Sequence, residues 1–228
     1  MAVSGVQRQR ALIGLLILSG LFIASLVTCN LIATKFTELD LGFKVFVVSV
    51  GILPYPLTFL ITDVISEIYG RRRANQIVFS GFVASLLVAA ILGIALQFDA
   101  MEGSEATTGE FAAVFGKGWR VILASMVAYL VAQLVDVRLF HFWKGLTKGR
   151  HLWLRNNAST IFSQLVDTTL VVFVLFVGVW EMGQIGRAIL DGWIFKMLCA
   201  LVDTPICYGV IAIYRRWLGL TGHQEAEL

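Results

Sequence analysis

Two stretches of this chain, residues 11–34 and 74–98, contain no charged side chain. Each exceeds the ~20 apolar residues that an α-helix needs to cross a bilayer core about 30 Å thick. A water-soluble fold of 228 residues could not hide both. Charged residues make up only 14% of the chain, against roughly 25% in a soluble domain. With 58% hydrophobic residues and a mean hydropathy of +0.82, lipid must be the solvent. No polar block is large enough to form a second domain. Residues 1–228 therefore read as one all-α transmembrane domain, a six-helix bundle.

Apolar runs place the six helices at about 11–34, 44–69, 74–98, 119–143, 157–180 and 189–214. Arg8 and Arg10 precede the first run as in a signal peptide. That run is long enough to remain as a spanning helix. Gly51, Pro54 and Pro56 interrupt the second and predict a kink or break there. Residues 99–118 form a polar loop carrying Asp99, Glu102, Glu105 and Glu110. Gly20 and Ala24, and Ala124, Ala128 and Ala132, predict small-residue ridges for close helix packing. Trp119, Trp143, Trp180 and Trp217 fall near span ends, as in an aromatic belt.

Orientation follows from the basic residues. One side collects Arg8, Arg10, Arg71, Arg72, Arg73, Lys144, Lys148, Arg150, Arg155, Arg215 and Arg216. The other collects only Lys35, Lys44, Lys117, Arg120 and Arg187. The richer side is cytoplasmic, which predicts six helices with both termini in the cytoplasm. The net charge of +3 reflects this topology and does not point to nucleic acid.

The chemistry lies in ionisable residues within the spans, which are costly there and face a bundle interior or cavity. Asp63, Asp136, Asp167 and Asp203 stand on the second, fourth, fifth and sixth helices. Counted from the basic ends they lie about 10, 10, 15 and 18 Å deep, converging on the inner half of the membrane. Gln133 precedes Asp136 by three residues and Gln164 precedes Asp167 by three, so each pair shares a helix face. Glu67 follows Asp63 by one turn. The Gln-Leu-Val-Asp sequence at 133–136 recurs at 164–167, a weak internal echo. Arg138 and Lys196 are the cations available within spans, and Lys196 lies two turns before Asp203 on the same face. Asp63 and Asp167 have no cation nearby in sequence, which makes them the stronger candidates for ligand contact. Asn30, Lys35 and His141 are weaker ones. Cys29, Cys199 and Cys207 lie in apolar runs without a CxxC or Cys/His pattern, so neither a metal site nor a cofactor is expected. Walker, GxSxG and HExxH motifs are absent.

Several of these residues form a recognisable set. Pro54-Tyr55-Pro56-Leu57-Thr58-Phe59, then Asp63, then Glu67-Ile68-Tyr69-Gly70 resembles the signature of the queuosine precursor transporter family, also called the vitamin uptake transporter family. Trp153-Leu154-Arg155, Ser159-Thr160, Ser163-Gln164, Asp167-Thr168 and Asp203-Thr204-Pro205 extend the likeness from about Asn30 to Tyr208. The resemblance implies six helices, similar to the substrate-binding subunits of energy-coupling-factor transporters. It also implies uptake of a 7-deazaguanine, 7-cyano-7-deazaguanine or its aminomethyl relative, for tRNA modification. The expected partners are that small molecule and the bilayer, with a homo-oligomer left open. The substrate-binding candidates are Asn30, Asp63, Glu67, Gln133, Asp136, Gln164, Asp167 and Asp203. Carboxylates and carboxamides suit a neutral, planar, donor-rich heterocycle. Two other readings stay open: a binding subunit of an ATP-driven uptake complex, and an intramembrane aspartyl enzyme, for which no GxGD stretch is present.

Overall fold

The computed structural model describes residues 5–32, 35–40, 42, 44–116, 119–148, 150–178, 180–220 and 224–226, except the side chains of 36, 47, 49, 119–125, 175 and 176. Helix α1 (Gly5–Ile32) leads into an antiparallel hairpin of β1 (Phe36–Asp40) and β2 (Val45–Ser49). A 3-10 turn (Val50–Ile52) follows, then α2 (Tyr55–Ala95), a short α3 (Thr108–Phe115), α4 (Trp119–Leu146), α5 (Leu152–Phe176) and α6 (Met182–Leu218). Among the described residues, five segments are long and apolar enough to cross a membrane: Gly5–Ile32, Val50–Ala95, Met126–Leu146, Leu152–Val174 and Met182–Leu218. The molecule is a multi-pass, all-α membrane protein with one small hairpin.

The hairpin corrects the expected second helix, which does not begin at residue 44. Residues 44–53 are apolar and rich in valine, and β-branched side chains fit a pleated strand well. Helix α2 starts at Tyr55, with Pro54 as its N-cap and Pro56 in its first turn. Those prolines therefore open the helix rather than kink it, because no intrahelical partner is lost there.

Helix α2 is broken within its length. Its 41 residues would span about 60 Å if straight, twice a bilayer core. Gly70 interrupts it with φ 79° and ψ 170°, a backbone region open essentially to glycine alone. Side-chain contacts show that the chain doubles back there. Tyr55 lines a cavity with Cys29 and Asn30 near the end of α1. Tyr69 donates to the carbonyl of Ala11 near the start of α1, at 3.0 Å. In the second arm, Gly81 lies against Phe22 and Leu26, and Ser85 returns to the cavity with Cys29 and Asn30. Arm 55–69 thus runs antiparallel to α1, and arm 71–95 runs parallel to it.

The largest helix contact is α4 on α5, followed by α1 on α2, α5 on α6 and α2 on α4. Phe22, Ile65, Ile68, Val78, Val137 and Cys207 are fully buried between them. The small-residue ridges behave unequally. Ala128 and Ala132 are buried, whereas Gly20 and Ala24 face outward. Close approach at α1 falls instead to Gly14, beneath Tyr69, Tyr214 and Trp217. Helix α3, inside the expected polar loop, is held by Thr107, which caps the backbone N–H of Glu110 and receives its carboxylate in return. Those bonds to Thr107 hold the Glu110 carboxyl below its ordinary range.

Candidate substrate cavity

The main cavity encloses about 280 Å³. It opens among the end of α1, the hairpin, the first turn of α2 and the middle of α4, α5 and α6, so it lies at the end of the bundle opposite Arg71, Arg72 and Arg73. Leu26, Cys29, Asn30, Tyr55, Tyr129, Asp167 and Lys196 line it. Val48 of β2 contributes to the wall from the hairpin. The hairpin is tied down by the Lys44–Asp191 ion pair and by Phe46 packing on Phe195, ring centroids 5.4 Å apart.

The feature that organises this cavity is an ion pair. Lys196 Nζ on α6 donates to Asp167 Oδ2 on α5 at 2.6 Å. The same ammonium sits 4.6 Å from the centre of the Tyr55 ring, and the Tyr55 side chain lies against Asp167. Asp167 therefore does have a cation, contrary to the expectation from sequence. Lys196, two turns from Asp203 along its own helix, reaches across to the neighbouring one. A smaller cavity of about 20 Å³ adjoins, sharing Ile52, Tyr55 and Lys196 with the first. Gln164 and the half-buried Asp203 line it.

The eight candidates thus separate. Asn30 and Asp167 line the main cavity, and Gln164 and Asp203 the side cavity. Asp63, Glu67, Gln133 and Asp136 line neither. The four spanning aspartates do not converge on one inner site. Lys35 is exposed and His141 half-buried away from either cavity, while Arg138 faces outward.

Glu67 is the centre of an ion cluster near the basic end. Its Oε2 meets Arg155 at 2.6 Å and Lys144 at 3.4 Å, and its Oε1 meets Arg215 at 3.0 Å. Lys144 also holds Glu225 of the C-terminal segment at 3.1 Å. Arg155 is 1% exposed and lies over the Phe140 ring. Sequence reasoning placed Arg155 among basic loop residues. Its position within the Trp-Leu-Arg motif, one turn from Ser159, was the available signal.

Between the cation cluster and the cavity lies a polar layer. Asp63 and Asp136 lie with their carboxyl groups against each other, both fully buried. Ser163 donates to Asp136 Oδ1 at 2.8 Å, with Ser159 and Thr160 on the same carboxyl. Gln133 Nε2 donates to Thr58 Oγ1, and Thr62 Oγ1 donates to Gln133 Oε1, both at 3.4 Å.

The cavity offers a fixed acceptor and a fixed donor side by side, with zero net charge and the aromatic rings of Tyr55 and Tyr129 around them. Such a site can bind a flat polar molecule and move it without chemical change. Among described residues no group of His, Cys, Asp and Glu has metal-ligand geometry.

Comparison with known proteins agrees with this architecture. Residues 49–210 match a family model described as "Putative vitamin uptake transporter". A protein of Bacillus subtilis named a probable queuosine precursor transporter is 30% identical over 161 residues, 70% of each chain. The queuosine precursor transporter of Escherichia coli is 28% identical over 216 residues, 91% of this chain and 89% of that one. A probable queuosine precursor transporter of Haemophilus influenzae is 27% identical over 167 residues, 71% and 67% of the two chains. No solved structure matches. These relatives are named as transporters, not enzymes, and the family model spans most of the same helices that build the cavity. The chain belongs to the vitamin uptake transporter family.

Proposed function

We propose that this protein imports a queuosine precursor, 7-cyano-7-deazaguanine or 7-aminomethyl-7-deazaguanine, across a bacterial inner membrane. Six crossings with both termini cytoplasmic accommodate the reversal at Gly70 and the basic-residue asymmetry. The observation that carries the reading is the Asp167–Lys196 pair in the cavity wall. A guanine-type edge presents a carbonyl, a ring N–H and an exocyclic NH2 in a row. The Lys196 ammonium donates to the carbonyl, and the Asp167 carboxylate accepts from the two N–H groups. Tyr55 and Tyr129 flank the flat bicycle, and Asn30 or Gln164 meets its remaining polar groups. A cavity near 280 Å³ is at the small end for ligand sites, which run about 300–1,000 Å³, and so suits a base without its sugar.

The edge supplies the test. An adenine-type edge places an NH2 before the ammonium and a ring acceptor before the carboxylate. Each mismatch leaves a buried polar group unpaired, costing about 1–3 kcal/mol. Calorimetry of purified protein should show 7-deazaguanine binding at least about tenfold more tightly than 7-deazaadenine. Equal affinities for the two edges would sink this reading of the cavity.

A further inference from the structure

The polar layer below the cavity has no place in substrate recognition as described above, yet it holds two fully buried carboxyl groups. Asp63 is 1% exposed and Asp136 is 0%. Each carboxyl keeps one buried oxygen, Asp63 Oδ1 and Asp136 Oδ2, that finds no donor among the described residues. Two carboxylates in contact within an apolar bundle repel strongly, because the low dielectric weakens any screening. A single proton held between them turns that repulsion into a charge-assisted hydrogen bond.

The surroundings do not supply another remedy. Asp63 faces Glu67 from its own helix, Asp136 from α4, Arg155 from α5 and Cys207 from α6. Arg155 is the one cation in that set, and its guanidinium is already on Glu67 at 2.6 Å. Lys144 and Arg215 are likewise on Glu67. Asp136 receives the Ser163 hydroxyl from α5 and, among the described residues, no cation within ion-pair distance.

A route to the cavity is also present. Thr62 neighbours Asp63, and Gln133 lies three residues from Asp136. Together with Thr58 they form a buried line of hydroxyl and carboxamide groups. Thr58 in turn donates to the carbonyl of Tyr55, whose side chain stands in the cavity wall. The line ends on the other side at the Glu67 cluster, near the basic face.

We propose that Asp63 and Asp136 share one exchangeable proton and that this proton crosses the membrane with the imported molecule, making the protein a proton-coupled carrier. The proton enters on the cavity side, rests between the two carboxyl oxygens, and leaves toward the cytoplasm. No bond of the substrate forms or breaks, and the charge moved per cycle is that of one proton plus the substrate. The coupling rests on the transport reading above, but the shared proton does not.

Two measurements separate the parts. Infrared spectroscopy of the purified full-length protein at neutral pH should show the C=O stretch of a protonated carboxyl, lost in Asp63→Asn and in Asp136→Asn. No such band in the wild type would overturn the shared proton, whatever the substrate. In liposomes, an outside-acid pH gradient should raise 7-cyano-7-deazaguanine accumulation at least tenfold over the gradient-free level, and a protonophore should abolish the gain. Asp63→Asn should lose that accumulation and still exchange external for internal substrate. Accumulation in the wild type that ignores the gradient would overturn the coupling. If the wild type shows the carboxyl band but no exchange of the 7-deazaguanine, the substrate assignment fails and the coupling to it falls with it.

Discussion

At the scale of residues, the charged side chains within the bundle stand in distinct surroundings. Asp167 and Lys196 face the cavity, while Glu67 is enclosed by Arg155, Lys144 and Arg215. Asp167→Asn and Lys196→Met should each weaken 7-deazaguanine binding about tenfold to a hundredfold, the worth of a charged hydrogen bond of roughly 1.5–3 kcal/mol. The double variant should lose less than the sum, since each single change strands its partner. A calorimetric titration with unchanged affinity in both single variants would remove the pair from the site. Glu67→Gln should instead lower the melting temperature in detergent, because stripping a buried pair of its anion costs about 3–5 kcal/mol. A melting temperature equal to wild type would show that the cations rely on other partners. Sequence spacing placed these acids within the apolar spans, but did not give their neighbours. Which helix stands beside which, and how each is rotated, comes from long-range packing. That is why Lys196 was matched with Asp203 along α6 when its contact is Asp167 across to α5.

At the scale of elements, hydropathy marked an apolar run in each of the five described segments long enough to cross a membrane, since a span's length is set by the bilayer rather than by the rest of the fold. It failed where a short apolar run is ambiguous between strand and helix, at residues 44–53. The break between 69 and 74 was legible in the three arginines that separate two apolar runs, whereas the left-handed backbone of Gly70 that makes it a sharp reversal was not. Its conformation has a cost that can be measured. Gly70→Ala would place a methyl group in a backbone region that L-residues avoid, at about 1–3 kcal/mol. The methyl would also meet the carboxylate of Glu225. Thermal unfolding followed by fluorescence-detected size exclusion should therefore show a lower midpoint for Gly70→Ala than for Gly93→Ala, whose added methyl meets nothing within 4 Å. Equal midpoints would mean that the turn relaxes freely.

At the scale of the whole molecule, the eleven-to-five distribution of basic residues and the doubled-back α2 support the proposed topology, with both chain ends on one side. A reporter fused to the C-terminus should be active only in its cytoplasmic form, and a periplasmic signal there would rule out this topology. The reversal at Gly70 also bears on how the protein is made. Arm 55–69 is only 15 residues, about 22 Å of helix, and it carries Asp63 and Glu67. By length and charge it is a poor candidate to leave the translocation channel for lipid by itself, whereas arm 71–95 is a strong one. The weak arm must therefore partition together with its successor, as a pair, and its two acids reach their final partners only after α4, α5 and α6 have been synthesised. Until then arm 55–69 carries Glu67 without the helices that supply Lys144, Arg155 and Arg215.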